Sequence, residues 1–124
     1  MADADVLADF LKGRGAAEKV EVLLRERRLS VSVVAAFEVW CGLRAPDGRA
    51  AFRKVLRLTA IAPLDKATAE RAGEVYRAAE EAGTRIAHRD ALIAAAALLR
   101  RLPLLTRNVA HFARVPGLEL APLD

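Results

Sequence analysis

The chain has 124 residues, 54% of them apolar, which is enough for one domain with a buried core and excludes a disordered chain. Its only cysteine, Cys41, excludes an internal disulfide or a cysteine-based zinc cluster and fits a reducing cytoplasm. A net charge of +4 favours a polyanionic partner, either nucleic acid or an acidic protein segment.

The N-terminal stretch "MADADVLADF" has no basic segment followed by an apolar one, so no signal peptide is expected. It places Asp3, Asp5 and Asp9 around the start of a first helix over Val6 to Lys12. A second helix is expected over Ala16 to Arg28, then a strand at Leu29 to Ser32 and a helix at Val33 to Leu43. Gly48 to Leu58 reads as a helix, Ala60 to Leu64 as a strand, and Lys66 to Ala82 as a long helix. The helix from Ala91 to Arg100 follows the polar "GTRIAHRD", and strand-like runs follow at Leu102 to Thr106 and Leu118 to Leu120. The longest apolar run, Ala91 to Leu99, is short of the roughly 20 residues that span a bilayer. No repeat, low-complexity tract or long linker interrupts the pattern, so residues 1–124 are expected to form a single domain.

Strands alternating with helices predict a parallel sheet covered by helices on both faces. Such sheets bind ligands at the C-terminal ends of their strands. The residues near those exits include Asp3 and Asp5, Glu38, Asp90, and Asn108 with His111.

Each has an ordinary structural explanation and a chemical one. Glu38 has only Val34, Ala35, Cys41 and Gly42 at helical spacing, and Phe37, Val39 and Trp40 occupy the other faces. A helix apolar nearly all round should be buried, and its carboxylate then needs a cation, either a metal ion or a distant arginine. Asp90 stands before nine apolar residues and reads either as a helix cap or as a ligand. Asp3, Asp5 and Asp9 fit ordinary first-turn acids, His88 and Arg89 solvated loop residues, and Asn108 a turn cap. Taken together, carboxylates gathered at one sheet edge repel one another, and oxygen ligands favour magnesium or manganese. An Asp-x-Asp near the N-terminus also occurs in haloacid-dehalogenase-type phosphatases. Those need a fuller first strand and a downstream lysine that this chain lacks in a suitable setting.

The stretches "DADVLADFLKG", "SVSVVAAFEVWCGL", "DALIAAAALLRRLPLLTRN" and "HFARVPGLEL" resemble, in order and spacing, the PIN-domain ribonucleases of the VapC toxin type. The resemblance runs from Asp3 to Leu120 and implies a three-layer α/β/α sandwich around a short parallel sheet. It implies RNA cleavage with Mg²⁺, or Mn²⁺ in its place, held by Asp3, Glu38 and Asp90. Asn108 or His111 stands where a fourth acid is often found, and Asn108, with Thr106, is expected to orient water or support Asp3. Only Met1 and Ala2 precede Asp3, so the first strand is expected to be truncated. The resemblance further implies a cognate antitoxin, an RNA substrate, a homodimer, a cytoplasmic location and no membrane association. Candidate RNA-backbone contacts include Arg25, Arg27, Arg28, Arg49, Arg53, Lys54, Arg57, Arg100 and Arg101. The alternative is a weak or inactive PIN domain that only binds RNA or its antitoxin.

Overall fold

The computed structural model describes residues 1–124. Seven helices and two strands follow in order: α1 (Ala4–Lys12), α2 (Ala17–Arg25), β1 (Ser30–Ser32), α3 (Val33–Gly42), α4 (Pro46–Arg57), β2 (Ala60–Ala62), α5 (Lys66–Glu81), α6 (His88–Arg100) and α7 (Val109–Phe112).

β1 and β2 pair in parallel, with Val31 opposite Ile61. Single parallel bridges extend this pair: Ala2 joins Val31 on one side and Leu105 on the other, and Leu104 joins Leu120. The order across the molecule is therefore β2, β1, Ala2, Leu104–Leu105, Leu120. The expected strands are present but short. Pro63 cannot donate to a ladder and β2 stops at Ala62; Pro103 confines the pairing of its run to Leu104 and Leu105.

The N-terminal residues are central. Ala2 N donates to Ser30 O and Asp3 N to Leu105 O, while Leu105 N donates to Met1 O. The Met1 α-amino group donates to Pro103 O at 2.8 Å, and burial lowers its pKa to about 6. Three residues thus bring Asp3 to the end of the central strand position with both neighbours bonded.

The core lies around α6, whose Ala91, Ile93 and Ala94 to Ala97 are all buried. Its run of alanines leaves room for α5 and α3, both of which pack on it. Phe52 of α4, Phe112 of α7 and Leu7 of α1 complete the largest buried side chains. α1 packs on α2, α3 and α4. No helix is long and apolar enough to cross a membrane.

Two expectations need correction. α3 is not buried all round: Val33, Phe37 and Cys41, spaced at i, i+4 and i+8, form an exposed stripe, with Phe37 61% accessible. Ala35, Ala36 and Val39 face the core instead. α6 begins at His88, not Ala91, because Ala87 already holds the extended N-cap conformation.

Candidate active site

Asp3 is the N-cap of α1. Its Oδ1 accepts from Ala4 N at 2.8 Å and its Oδ2 from Thr106 Oγ1 at 2.8 Å. Burial raises its pKa to about 6, and the nearby charges of Asp5 and Asp90 push the same way, against the two hydrogen bonds. Asn108 N donates to Thr106 Oγ1 at 3.0 Å. That hydroxyl therefore accepts from the turn after Leu105 and donates to the acid after Ala2, joining two adjacent strand exits.

Asp5 belongs to the same group. Its Oδ2 accepts from Arg107 N at 2.9 Å, and its Oδ1 is buried without a partner. Sequence reasoning placed it with Asp3 near a strand exit but left it out of the ligand set as a first-turn acid. A second carboxylate two residues after Asp3, on the turn that leaves the strand position, was the available signal.

Glu38 projects from α3. Its Oε2 meets Arg89 Nη1 at 3.1 Å, whereas Oε1 is buried without a partner. Its pKa is raised, chiefly by burial, with Asp90 and Asp5 adding to this and Arg89 opposing it. The distant arginine weighed as an alternative to a metal is thus present, and it takes one oxygen of the two.

Asp90 is the third residue of α6 and is not its cap, since the N-cap is Ala87. Its carboxylate is 18% accessible, and His111 Nδ1 lies 3.8 Å from its Oδ2, beyond hydrogen-bond range. His111 Nδ1 is instead 2.8 Å from Asn108 Nδ2. If the amide donates, the imidazole is neutral and carries its proton on Nε2. Asn108 thus supports Asp3 through its backbone and orients His111 through its side chain. His88 does not enter the cluster; it stacks on Tyr76 at 4.6 Å.

The fold therefore brings Asp3, Asp5, Glu38 and Asp90 within electrostatic reach of one another, with Asn108 and His111 at their edge. No three Asp, Glu, His or Cys side chains are arranged as a ready metal-binding cluster; Thr106 bonds Asp3 Oδ2 and Arg89 meets Glu38 Oε2. A cleft runs from Asp5 and Glu38 along Ala8, Leu11, Val39 and Leu43 to Gly48 at the start of α4.

Residues 1–118 match the PIN domain. This chain belongs to the PIN-domain family. The PIN chain is 36% identical over 113 residues to ribonuclease VapC10 of Mycobacterium tuberculosis, covering 90% of this chain and 84% of that one. Its fold is similar to the structure of VapBC2 from Rickettsia felis bound to a promoter DNA fragment, with a TM-score of 0.86, 22% identity, and coverage of 100% and 98%. A toxin–antitoxin complex from Klebsiella pneumoniae gives a TM-score of 0.78 at 26% identity, covering 99% and 96%.

Proposed function

We propose that this PIN domain is a divalent-metal-dependent endoribonuclease and the toxin half of a toxin–antitoxin pair. The observation that carries the reading is the pair of buried carboxylate oxygens without partners, Asp5 Oδ1 and Glu38 Oε1, on two residues that line one cleft. Buried, unpaired carboxylate oxygens beside other acids are costly, and a cation is the usual remedy.

The residues fit Mg²⁺ or Mn²⁺. All the acidic donors are hard oxygens, and Mg²⁺ keeps several waters and uses only one or two carboxylates at many phosphate sites, so a closed cage is not required. Asp3, Glu38 and Asp90 would hold the ion, with Asp5 alongside. When bound, such an ion polarises a phosphoryl oxygen and lowers the pKa of water. Thr106 and Ala4 N fix the Asp3 carboxylate, Arg89 fixes one side of Glu38, and the Asn108–His111 pair lies where it can orient water or substrate beside Asp90. The similarity to ribonuclease VapC10 supports RNA as substrate, and the toxin–antitoxin complexes among the structural relatives support a cognate antitoxin. Homodimerisation, to be measured by sedimentation, is the expected solution state.

The test is cleavage of single-stranded RNA by the purified protein in Mg²⁺, in Mn²⁺ and in EDTA, alongside thermal melts under the same conditions. Metal-dependent cleavage with metal-dependent stabilisation supports the reading. Neither effect would leave a binding module. Hydrolysis of a small phosphomonoester without RNA cleavage would favour a phosphatase.

A further inference from the structure

The arginines of this chain differ in how far they are neutralised. On α2 and α5 they are neutralised locally: Arg25 pairs with Glu21, Arg71 with Glu74 and Arg77 with Glu81. α5 as a whole has three cations against four acids. α4 is different. Its sequence "PDGRAAFRKVLR" carries Arg49, Arg53, Lys54 and Arg57 against a single acid, Asp47. None of these four cations forms an ion pair, whereas carboxylates on α2 and α5 do. This one helix contributes a charge of +3 to a chain whose total is +4.

The geometry is ordered as well as charged. Arg49, Arg53 and Arg57 recur every fourth residue, one helical turn apart, on one side of α4. Arg49 lies over the Trp40 ring at 4.8 Å and also donates to Leu43 O at 3.0 Å, which anchors it. Arg53 lies over the same ring at 5.6 Å. Trp40 is itself set edge-on against the buried Phe52. Stacking holds guanidinium planes in place without consuming their hydrogen-bond donors. Gly48, one residue before Arg49, lines the same cleft as Asp5 and Glu38. The stripe therefore starts beside the acid cleft and runs from Arg49 to Arg57, about 12 Å at 1.5 Å per residue.

We propose that the Arg49, Arg53 and Arg57 stripe of α4 is a phosphate rail that holds the backbone of a single-stranded RNA whose scissile linkage lies at the acid cleft. The proposal rests on the ribonuclease reading above and adds where the strand runs. Acidic residues at the reaction centre repel a polyanion, so attraction must come from a separate surface; α4, whose four cations form no ion pair, adjoins the cleft, which Lys12 of α1 also lines. Aromatic-backed guanidinium groups are suited to phosphates and base faces alike, which favours RNA over an acidic peptide. Contacts of this kind position the strand and carry little sequence information.

The test is fluorescence anisotropy with a labelled 12-nucleotide single-stranded RNA in EDTA, over a series of NaCl concentrations, with metal-dependent cleavage by the same preparations measured in parallel. Arg53→Gln/Arg57→Gln leaves the anchored Arg49 in place. It should weaken binding about tenfold for every sequence tried and reduce the slope of log K against log salt by about 1.4, from roughly 0.7 per phosphate contact. Arg53→Lys/Arg57→Lys should recover most of the slope, and the control Arg77→Gln on α5 should leave it unchanged. Melting temperature and Mg²⁺-induced stabilisation should stay at wild-type values in all three. A wild-type slope in the Gln double variant overturns the rail, as does an equal fall in the Arg77→Gln control. So does a double variant that keeps RNA affinity but loses binding of poly-glutamate, which would make the stripe a site for an acidic protein. A wild-type protein that cuts no RNA while its slope falls as stated refutes the ribonuclease reading alone and leaves the rail on a binding module.

Discussion

Arg107 Nε lies 2.9 Å from Oδ2 of Asp9, a carboxylate that is only 5% accessible. The pair joins the second turn of α1 to the turn that leaves the Leu104–Leu105 strand position, 98 residues further along the chain. Asp9 Oδ2 also accepts from Ala16 N at 3.4 Å. Gly15, at φ 57°, lets the chain pass so close that a Cβ there would meet that same oxygen. Arg107 N in turn holds Asp5. An ion pair whose carboxylate is buried thus fixes the backbone that arranges Thr106, Arg107 and Asn108 around the acids.

Arg107→Ala would leave Asp9 buried and short of its cation. Breaking a fully buried pair costs roughly 3–5 kcal/mol, and the half-exposed guanidinium here points to about 2 kcal/mol. That corresponds to a melting temperature lower by about 8 °C for a chain of this size. Asp9→Asn in the same protein should recover part of the loss, since no buried charge then remains. Strictly additive effects in the double-mutant cycle would mean that the pair is not coupled.

Asp90→Asn separates structure from chemistry at the head of α6. Asp90 occupies the third helical position, and a carboxylate there gains about 0.3–1 kcal/mol from the helix dipole. The same charge raises the pKa of Asp3 and of Glu38, so removing it also relieves repulsion. Stability in EDTA should therefore change by less than about 1 kcal/mol. RNA cleavage should fall on the order of 100-fold, the scale of losing one electrostatic group at a reacting centre. Cleavage at the wild-type rate would remove Asp90 from the site.

Much of this was legible from residues alone, and the limits have physical causes. Helix α5 was recognisable from its helix-like pattern over Lys66 to Ala82, and the structure adds Asp65 as its N-cap, accepting from Thr68 N. The acids Glu38 and Asp90 stood out because their helical neighbours are apolar, and Asp3 through the resemblance to the PIN-domain ribonucleases. The start of α6 was misplaced because Ala87 caps it without a side-chain hydrogen bond, leaving no sequence signal. The exposed stripe Val33, Phe37 and Cys41 could not be told from a core face, since both are apolar at helical spacing. Partnerships between distant segments were invisible: Arg89 with Glu38, and Arg107 with Asp9, depend on helix packing that no local pattern encodes.

Glu38→Gln tests the partnerless oxygen directly. The charged form of Glu38 is disfavoured mainly by burial, and the arginine that offsets this is itself 65% accessible, so the ion pair contributes little. In EDTA the variant should melt at or slightly above the wild-type temperature. The stabilisation produced by saturating Mg²⁺ should shrink. A variant less stable in EDTA, with an unchanged response to Mg²⁺, would make Glu38 a structural partner of Arg89.

Asp3 makes the cleft sensitive to pH. Its pKa is about 6 in the folded protein against 3.8 for an ordinary aspartate, so between those values the folded state holds a proton that the unfolded state releases. The stabilising contribution is therefore fully present below about pH 4 and is lost as pH rises through 6, with an upper bound of about 3 kcal/mol at 1.36 kcal/mol per unit. Other groups titrate over the same range, including the buried Met1 α-amino group, so the quantity to follow is the difference between wild type and Asp3→Asn. Asparagine keeps a cap acceptor for Ala4 N while removing the charge. In EDTA, the wild-type melting temperature should fall relative to the variant between pH 4.5 and 7. Mg²⁺ competes with the proton for the same carboxylate, so its stabilisation of the wild type should grow as pH rises through 6 and be weaker in Asp3→Asn throughout. Parallel pH profiles for the two proteins in EDTA would show that Asp3 is ionised over the whole range, and a parallel Mg²⁺ response would place the ion away from the end of the central strand position.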